Sequence, residues 1–292
     1  MRFLSALPAF RSASPRRGAP SSRRKTCVAA AVLLPMFFAR LAVAQIPHTV
    51  VLEELTWTEI RDQIHDGRAT IIVPIGGTEQ SGPYMAVGKH DVRAAILSRR
   101  IAEGLGNALV APVIAYVPEG NYDPPTSHMR FPGTITVSDD VFEKTLDSAA
   151  NGFRVHGFRN VVFLGDHGGY QKDLRVVVER LNKAWAKSSA RAFAPPEYYR
   201  ASSDGFAQIL RQHGYGDEEI GTHAGLADTS LLMAVAPQMI RDQALRSAPK
   251  PGAADGVYGG DPRRSTAQLG QLGIDLIVSQ TIEAIRQETA RR

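Results

Sequence analysis

Short apolar runs alternate with amphipathic segments along most of the chain. Residues 70–75 and 161–164 are rich in β-branched and apolar residues, a composition typical of buried strands. Between them, from residue 142 to residue 153, apolar side chains recur at the spacing of one helical face. This alternation predicts one α/β domain with three layers, in which a mainly parallel sheet is flanked by helices.

The same patterns predict the remaining elements. Thr56 and Glu59 have the spacing of a capping box, which predicts a first helix that ends near Gly67. Further helices are predicted at residues 91–102, 174–185, 205–212 and 228–235 and near the C-terminus, a further strand at 108–116, and irregular structure at 248–264. The long loop 119–133 contains prolines and aromatic residues, which favours a functional loop over a disordered one.

Residues 1–44 differ in composition from the rest. They contain eight basic residues and no acidic residue, an apolar run at 28–38, and Ala42-Val43-Ala44 before Gln45. This pattern predicts a secretory signal peptide, a single mature domain at residues 45–292, and a periplasmic or secreted protein. An uncleaved anchor or a wrongly assigned start is the alternative, and Arg23-Arg24 leaves the choice between Sec and twin-arginine export open.

The leader also accounts for the basic charge of the chain. The chain has 34 Lys and Arg residues and 29 Asp and Glu residues. Eight of the basic residues and no acidic residue precede residue 45, so residues 45–292 have a net charge of about −3. We therefore expect no nucleic-acid partner, and no membrane partner once the leader is removed. Cys27 is the one cysteine and lies in the leader, so disulfide and thiolate chemistry are excluded from the mature domain.

Candidate chemical groups follow the predicted strands. Glu79 and His90 come after the first strand and His167 after the third, and the carboxyl ends of parallel strands are where α/β proteins build sites. Carboxylate and imidazole are ligands of hydrolytic zinc or manganese sites. His223 fits a general base or a helix-capping residue, and Asp228 fits a helix N-terminal charge. The turn 165–169 lacks the Lys-Ser/Thr of a phosphate loop, and His48, His65, His156 and His213 are predicted to be surface residues.

Five blocks occur in order along residues 77–262. They are Gly77-Thr78-Glu79-Gln80-x-Gly82-Pro83, Phe131-Pro132-Gly133-Thr134-Ile135, Gly165-Asp166-His167-Gly168-Gly169, His223-Ala224-Gly225-x-x-Asp228-Thr229-Ser230 and Gly256-Val257-x-Gly259-Gly260-Asp261-Pro262. Together they resemble the creatininase family. The resemblance implies an α/β domain, often hexameric, with a one- or two-metal centre that hydrolyses non-peptide C–N bonds in small molecules.

The resemblance also assigns expected roles. Glu79 and His167 match family ligands, His90 falls at the position of a bridging aspartate, His223 matches a pocket histidine, and Asp228 replaces a glutamate. Ser81 and Tyr84 stand where the family has histidines, so we expect one divalent metal, zinc before manganese, held by Glu79, His90 and His167 with Asp228 or water. Asp91 could replace the missing carboxylate if the loop shifted by one residue.

The resulting expectation is a metal-dependent hydrolase of a cyclic amide or related small molecule. Water would attack the substrate carbonyl or amidine carbon while His223 moves protons. The substrate pocket is expected to be formed by Tyr84, His128, Arg130, Gly168 and Tyr170. Two alternatives remain at this point: a non-catalytic periplasmic small-molecule binding protein, and a lactone or ester hydrolase.

Overall fold

Four parallel strands form the central sheet of the computed structural model, which describes residues 48–290. In chain order they are β1 (Thr70–Ile75), β2 (Ala108–Val110), β3 (Asn160–Gly165) and β4 (Arg191–Phe193), and their order in the sheet is β2-β1-β3-β4. A separate antiparallel pair consists of β5 (Gly221–His223) and β6 (Tyr258–Gly260). The predicted signal peptide, residues 1–44, lies outside the described residues.

Strands β1 and β3 determine where the site can form. They pair in register from Thr70 beside Asn160 to Ile75 beside Gly165, so both strands end at the same edge of the sheet. Consequently the loop after β1 and the turn after β3 lie side by side, as the rule for parallel sheets predicts.

Alternate side chains of these strands point to opposite faces. Ile71 and Val73 pack in one apolar core, whereas Ile72 packs in the other. The first core is covered by α1 (Trp57–His65), α3 (Asp139–Val155) and α4 (Gln171–Ala184). The second core is covered by α2 (Lys89–Leu105), α5 (Pro196–Arg200), α6 (Phe206–Gln212), α8 (Leu226–Val235) and α10 (Ala267–Ala290). The remaining helices, α7 (Asp217–Ile220) and α9 (Asp242–Ser247), are short. The predicted three-layer α/β class is confirmed. Within residues 48–290, no helix has both the length and the apolar content to cross a bilayer.

Helices α8 and α10 approach closely in the second layer. A side chain at Gly270 of α10 would collide with the carbonyl oxygen of Ser230 in α8, and one at Gly273 would meet Leu231 and Phe206. The glycines thus allow α10 to pack directly on α8, which carries Asp228 in its first turn and follows His223 of β5.

Most predicted elements are confirmed, with local differences. The capping box at Thr56 and the bounds of β1 are as predicted. The second strand is shorter than the predicted 108–116, because Pro112 lacks an N–H and the chain leaves the sheet after Val110, returning only for a bridge between Ile114 and Ile75. The segment 248–264, predicted to be irregular, contains β6.

Candidate active site

Glu79 lies at the bottom of the site, on the loop that follows β1. Its side chain is fully buried. The loop is anchored by Asp91, whose carboxylate accepts hydrogen bonds from the Gly77 amide at 2.9 Å and from the Thr78 hydroxyl at 3.1 Å. A side chain at Gly76 would collide with this carboxylate. Asp91 therefore shapes the loop and is not offered as a ligand.

The turn after β3 brings His167 to the same place. The Tyr170 hydroxyl accepts a hydrogen bond from the His167 amide at 3.0 Å and lies 2.7 Å from the carbonyl oxygen of Gly76, to which it donates. Tyr170 is completely buried. Tyr170 thus joins the two site loops. Because its side chain has no exposed surface, it offers none for the predicted contact with substrate.

Four ligand atoms converge above these loops. Glu79, Glu119, His128 and His167 each offer one, and all lie within 4.8 Å of one another. The Oε2 atom of Glu79 is 3.1 Å from Nε2 of His128 and 3.5 Å from Nε2 of His167, and Oε1 of Glu119 is 3.5 Å from Nδ1 of His167. Two carboxylates and two imidazoles form a donor set suited to zinc or manganese. We call these four residues the ligand cluster.

The chemistry of the ligand cluster fits a cation. The Oε2 atom of Glu79 and both carboxylate oxygens of Glu119 are buried and accept no hydrogen bond in the described part of the chain. Burial and the adjacent Glu79 charge raise the pKa of Glu119. Burial also lowers the pKa of His128, and that of His167 to about 4, which keeps both rings in the neutral form that binds metals. A divalent ion would compensate the two buried carboxylates.

A network of charged side chains lies next to the ligand cluster. His90 places Nδ1 2.7 Å from Asp166 and Nε2 2.8 Å from Glu79. Burial and the Lys89 charge oppose protonation of His90, but the two carboxylates outweigh them and raise its pKa. Arg93 donates to both Asp166 and Asp228, at 2.8 and 3.1 Å.

These contacts bear on two predicted metal ligands. His90 faces carboxylates through both nitrogens, and Asp228 accepts from Lys89 at 2.8 Å through one oxygen and from Arg93 through the other. Both side chains therefore lie beside the ligand cluster with their donor atoms already engaged. Their ligand role remains a prediction, and the arrangement favours Glu119 and His128 in their place.

His223 lies beside His128 of the ligand cluster and is a neutral imidazole. Burial and the nearby Lys89 charge lower its pKa to about 3. Its Nε2 is 3.0 Å from the backbone carbonyl oxygen of Gln80, which can only accept, so we assign the proton to Nε2. The side-chain amide nitrogen of Gln80 lies 3.2 Å from the same atom and 3.0 Å from Nδ1 of His128. The proton on His223 thus faces the loop of Glu79.

A cavity of about 750 Å³ opens over the site. His128 and Gly168, two of the predicted substrate-binding residues, line it, together with His167, His223 and Tyr199. Its lining includes charged and hydroxyl side chains from residues 199–211, which suits a polar ligand.

The other three predicted substrate-binding residues, Tyr84, Arg130 and the buried Tyr170, do not line this cavity. Tyr84 packs in an apolar cluster with Met85 and Leu232. Arg130 is exposed and donates to the carbonyl oxygen of Ser127 at 3.1 Å. The four histidines predicted to be on the surface, His48, His65, His156 and His213, are exposed.

Sequence reasoning missed several residues of the site. Glu119, Lys89, Arg93 and Tyr199 were not among the candidates. Glu119 follows the apolar segment 108–117, so its position after the second strand-like run was a signal that pointed to the same sheet edge. Lys89 and Arg93 had no such signal, because basic residues near a helix start are ordinary surface residues in most proteins.

Known proteins resemble this chain over most of its length. The family model described as creatinine amidohydrolase matches residues 53–285. A creatinine amidohydrolase of Pseudomonas putida is 25% identical over 259 residues, covering 82% of this chain and 97% of that protein. A 3-dehydro-scyllo-inosose hydrolase of Thermotoga maritima is 25% identical over 206 residues, covering 70% of this chain and 62% of that protein.

Solved structures show the same fold. A crystal structure of creatinine amidohydrolase superposes with a TM-score of 0.69 at 22% identity, covering 83% of this chain and 98% of that one. Other solved creatininases are described as a manganese form and, for one variant, a zinc–zinc form. The named relatives are hydrolases, which supports the expectation of an enzyme over that of a binding protein. By the extent of the family match, this chain belongs to the creatininase family.

Proposed function

We propose that this protein is a metal-dependent hydrolase that cleaves a non-peptide C–N bond in a small polar molecule, such as a cyclic amide. The observation that carries the proposal is the ligand cluster, in which Oε2 of Glu79 and both carboxylate oxygens of Glu119 accept no hydrogen bond from residues 48–290 and lie beside neutral His128 and His167. The two histidines border a cavity large enough for such a substrate. The hydrolase relatives support the reaction class.

Each residue of the ligand cluster would hold the metal, and the metal would supply a Lewis acid and lower the pKa of a coordinated water to about 7. Glu119 has a second function in this proposal. Because neither of its oxygens accepts a hydrogen bond within the described part of the chain, the oxygen not used as a ligand can take the proton that the attacking water loses.

Glu119 would then pass this proton to the leaving nitrogen, so that the protons balance. Proton transfer by His223 stays a prediction, because its Nε2 proton faces the Gln80 carbonyl oxygen; the ring lines the cavity, and its centroid lies 4.5 Å from that of His128. Lys89 lies 3.5 Å from the other ring nitrogen and orients the imidazole. The same arrangement would serve an ester or lactone, so the substrate panel must include both.

Metal analysis tests the proposal. We expect about one equivalent of zinc or manganese in the purified protein, and at least about a tenfold loss of metal affinity in Glu119→Gln and His167→Ala. His213→Ala, at an exposed position, is the control and should keep the metal. Fewer than about 0.2 equivalents in the unaltered protein, with no hydrolysis of cyclic amides or lactones after zinc or manganese is added, would refute a metal-dependent hydrolase.

The second part of the proposal is that the enzyme acts after export. Its support is the basic and apolar composition of residues 1–44. Expression of the full chain in a Gram-negative host, followed by N-terminal sequencing of the periplasmic fraction, tests it. We expect a mature N-terminus at Gln45, and a full-length protein confined to the cytoplasm would contradict the proposal.

A further inference from the structure

Lys89 is a buried cation at the centre of the site. It is the first residue of α2, its side chain is 1% exposed, and its Nζ atom has three acceptors. These are Oδ2 of Asp228 at 2.8 Å, Oε1 of Glu79 at 3.2 Å and Nδ1 of His223 at 3.5 Å. An ammonium group has three N–H donors and no acceptor, so each donor has one acceptor to face.

The third acceptor is available because of the tautomer of His223. Its Nε2 proton faces the Gln80 carbonyl oxygen, and the lone pair on Nδ1 is therefore free to face Lys89. Two carboxylates and one imidazole nitrogen thus surround a single positive charge. The same two types of group, at shorter distances, form zinc and manganese sites in proteins.

Glu79 connects this position with the ligand cluster. Its Oε2 faces His128 and His167, whereas its Oε1 faces Lys89. The two oxygens of one carboxylate therefore serve two adjacent cation positions, one of which is already filled by a side chain.

We propose that Lys89 is a built-in cation that occupies the second position of a two-cation centre, so that the protein binds one divalent metal, and that removing this side chain opens a second metal site formed by Glu79, Asp228 and His223. This inference rests on the proposed function, because it takes the ligand cluster as the first metal site. Lys89 also lines the cavity, where its charge faces the substrate as a second metal would.

A purely structural role for Lys89 would predict that Lys89→Ala binds no second metal. Asp228 keeps a cation without Lys89, because Arg93 donates to its other oxygen at 3.1 Å, and Glu79 keeps His90 at 2.8 Å. The acceptors would therefore remain in place after Lys89→Ala, with a net charge more negative by one. That change favours a divalent ion at the position of Nζ.

The test is a count of bound metal. Metal-free protein is titrated with zinc, and bound zinc is measured by mass spectrometry after removal of the excess. We expect one equivalent in the unaltered protein, two in Lys89→Ala, and one in the Lys89→Ala, Asp228→Asn double variant. Lys144→Ala, which removes an exposed lysine paired with Asp140, is the control and should bind one.

The outcomes separate the two proposals. One equivalent in both the unaltered protein and Lys89→Ala would overturn the inference alone, as would two in the unaltered protein. No bound zinc in the unaltered protein would overturn the proposed function as well. If Lys89→Ala folds only when zinc is added and then holds two equivalents, the inference is supported, whereas a variant that stays unfolded in saturating zinc shows that a metal cannot replace the ammonium group.

Discussion

Replacing Asp166 by asparagine should destabilise the protein strongly, because three donors meet on its buried carboxylate. Oδ1 accepts from the Tyr198 hydroxyl at 2.8 Å, and Oδ2 lies 2.8 Å from Nε of Arg93 and 2.7 Å from Nδ1 of His90. The side chain of Asp166 is completely buried. An asparagine of the same shape would remove the charge and point an NH₂ group at one of these donors.

The expected size follows from the partners that remain. Arg93 and His90 are buried, so removing their shared counter-charge leaves positive charge in a region of low dielectric. Loss of one partner from a buried ion pair costs about 3–5 kcal/mol. For a domain of this size, about 2–4 °C of melting temperature is lost per kcal/mol, so the melting temperature should fall by about 6–20 °C.

Asp147→Asn is the matched control. Asp147 also accepts from an arginine, Arg180, at 2.7 Å, but the two side chains are 26% and 42% exposed. An ion pair in contact with water contributes only about 0.2–1 kcal/mol. Differential scanning calorimetry of metal-free proteins compares the two variants. If Asp166→Asn melts within about 2 °C of Asp147→Asn, the network around Asp166 contributes less to the free energy of unfolding than its geometry indicates.

Four further single substitutions have defined outcomes. Gly270→Ala should lower the free energy of unfolding by about 1–3 kcal/mol, because its methyl group would collide with α8. Gly152→Ala is also within a helix, but its methyl group would meet no other part of the protein within 4 Å, so it should raise the free energy of unfolding by about 0.5–1 kcal/mol. Chemical denaturation measures both. Gly168→Ala should lower substrate affinity with the fold intact, because the methyl group would collide with the Tyr199 hydroxyl, and adding Tyr199→Ala should restore part of the loss. Thr56→Ala should cost about 0.5–2 kcal/mol of unfolding free energy by removing the capping box of α1.

The sequence predicted the fold and the position of the site because both depend on local patterns. The apolar runs that become β1 and β3 are visible without tertiary information, and their ends must meet once they pair in parallel. Glu79 and His167 follow those ends directly, so their convergence was predictable. The shortened β2 was not foreseen, although the one proline that interrupts it was visible in the sequence.

The identity of the remaining candidate ligands depends on how loops fold over the sheet edge. His128 lies on the loop 119–133, which has no periodicity from which its path could be derived, and this loop brings His128 within 3.1 Å of Glu79. Glu119 stands at the start of the same loop and carries two oxygens without hydrogen bonds. Contacts across so many residues cannot be obtained from spacing along the chain.

His90 shows why a correct position in a motif does not determine a role. An imidazole has two nitrogens, and each can serve one partner at a time. In this chain one nitrogen faces Asp166 and the other faces Glu79, so a ring that lies beside the metal ligands is committed to joining two carboxylates. Lys89, its neighbour in sequence, brings a second positive charge to the same glutamate. The roles in this site are therefore decided by which oxygens remain without a partner after the buried charges have been paired, and among the described residues these include Oε2 of Glu79 and both carboxylate oxygens of Glu119, beside His128 and His167.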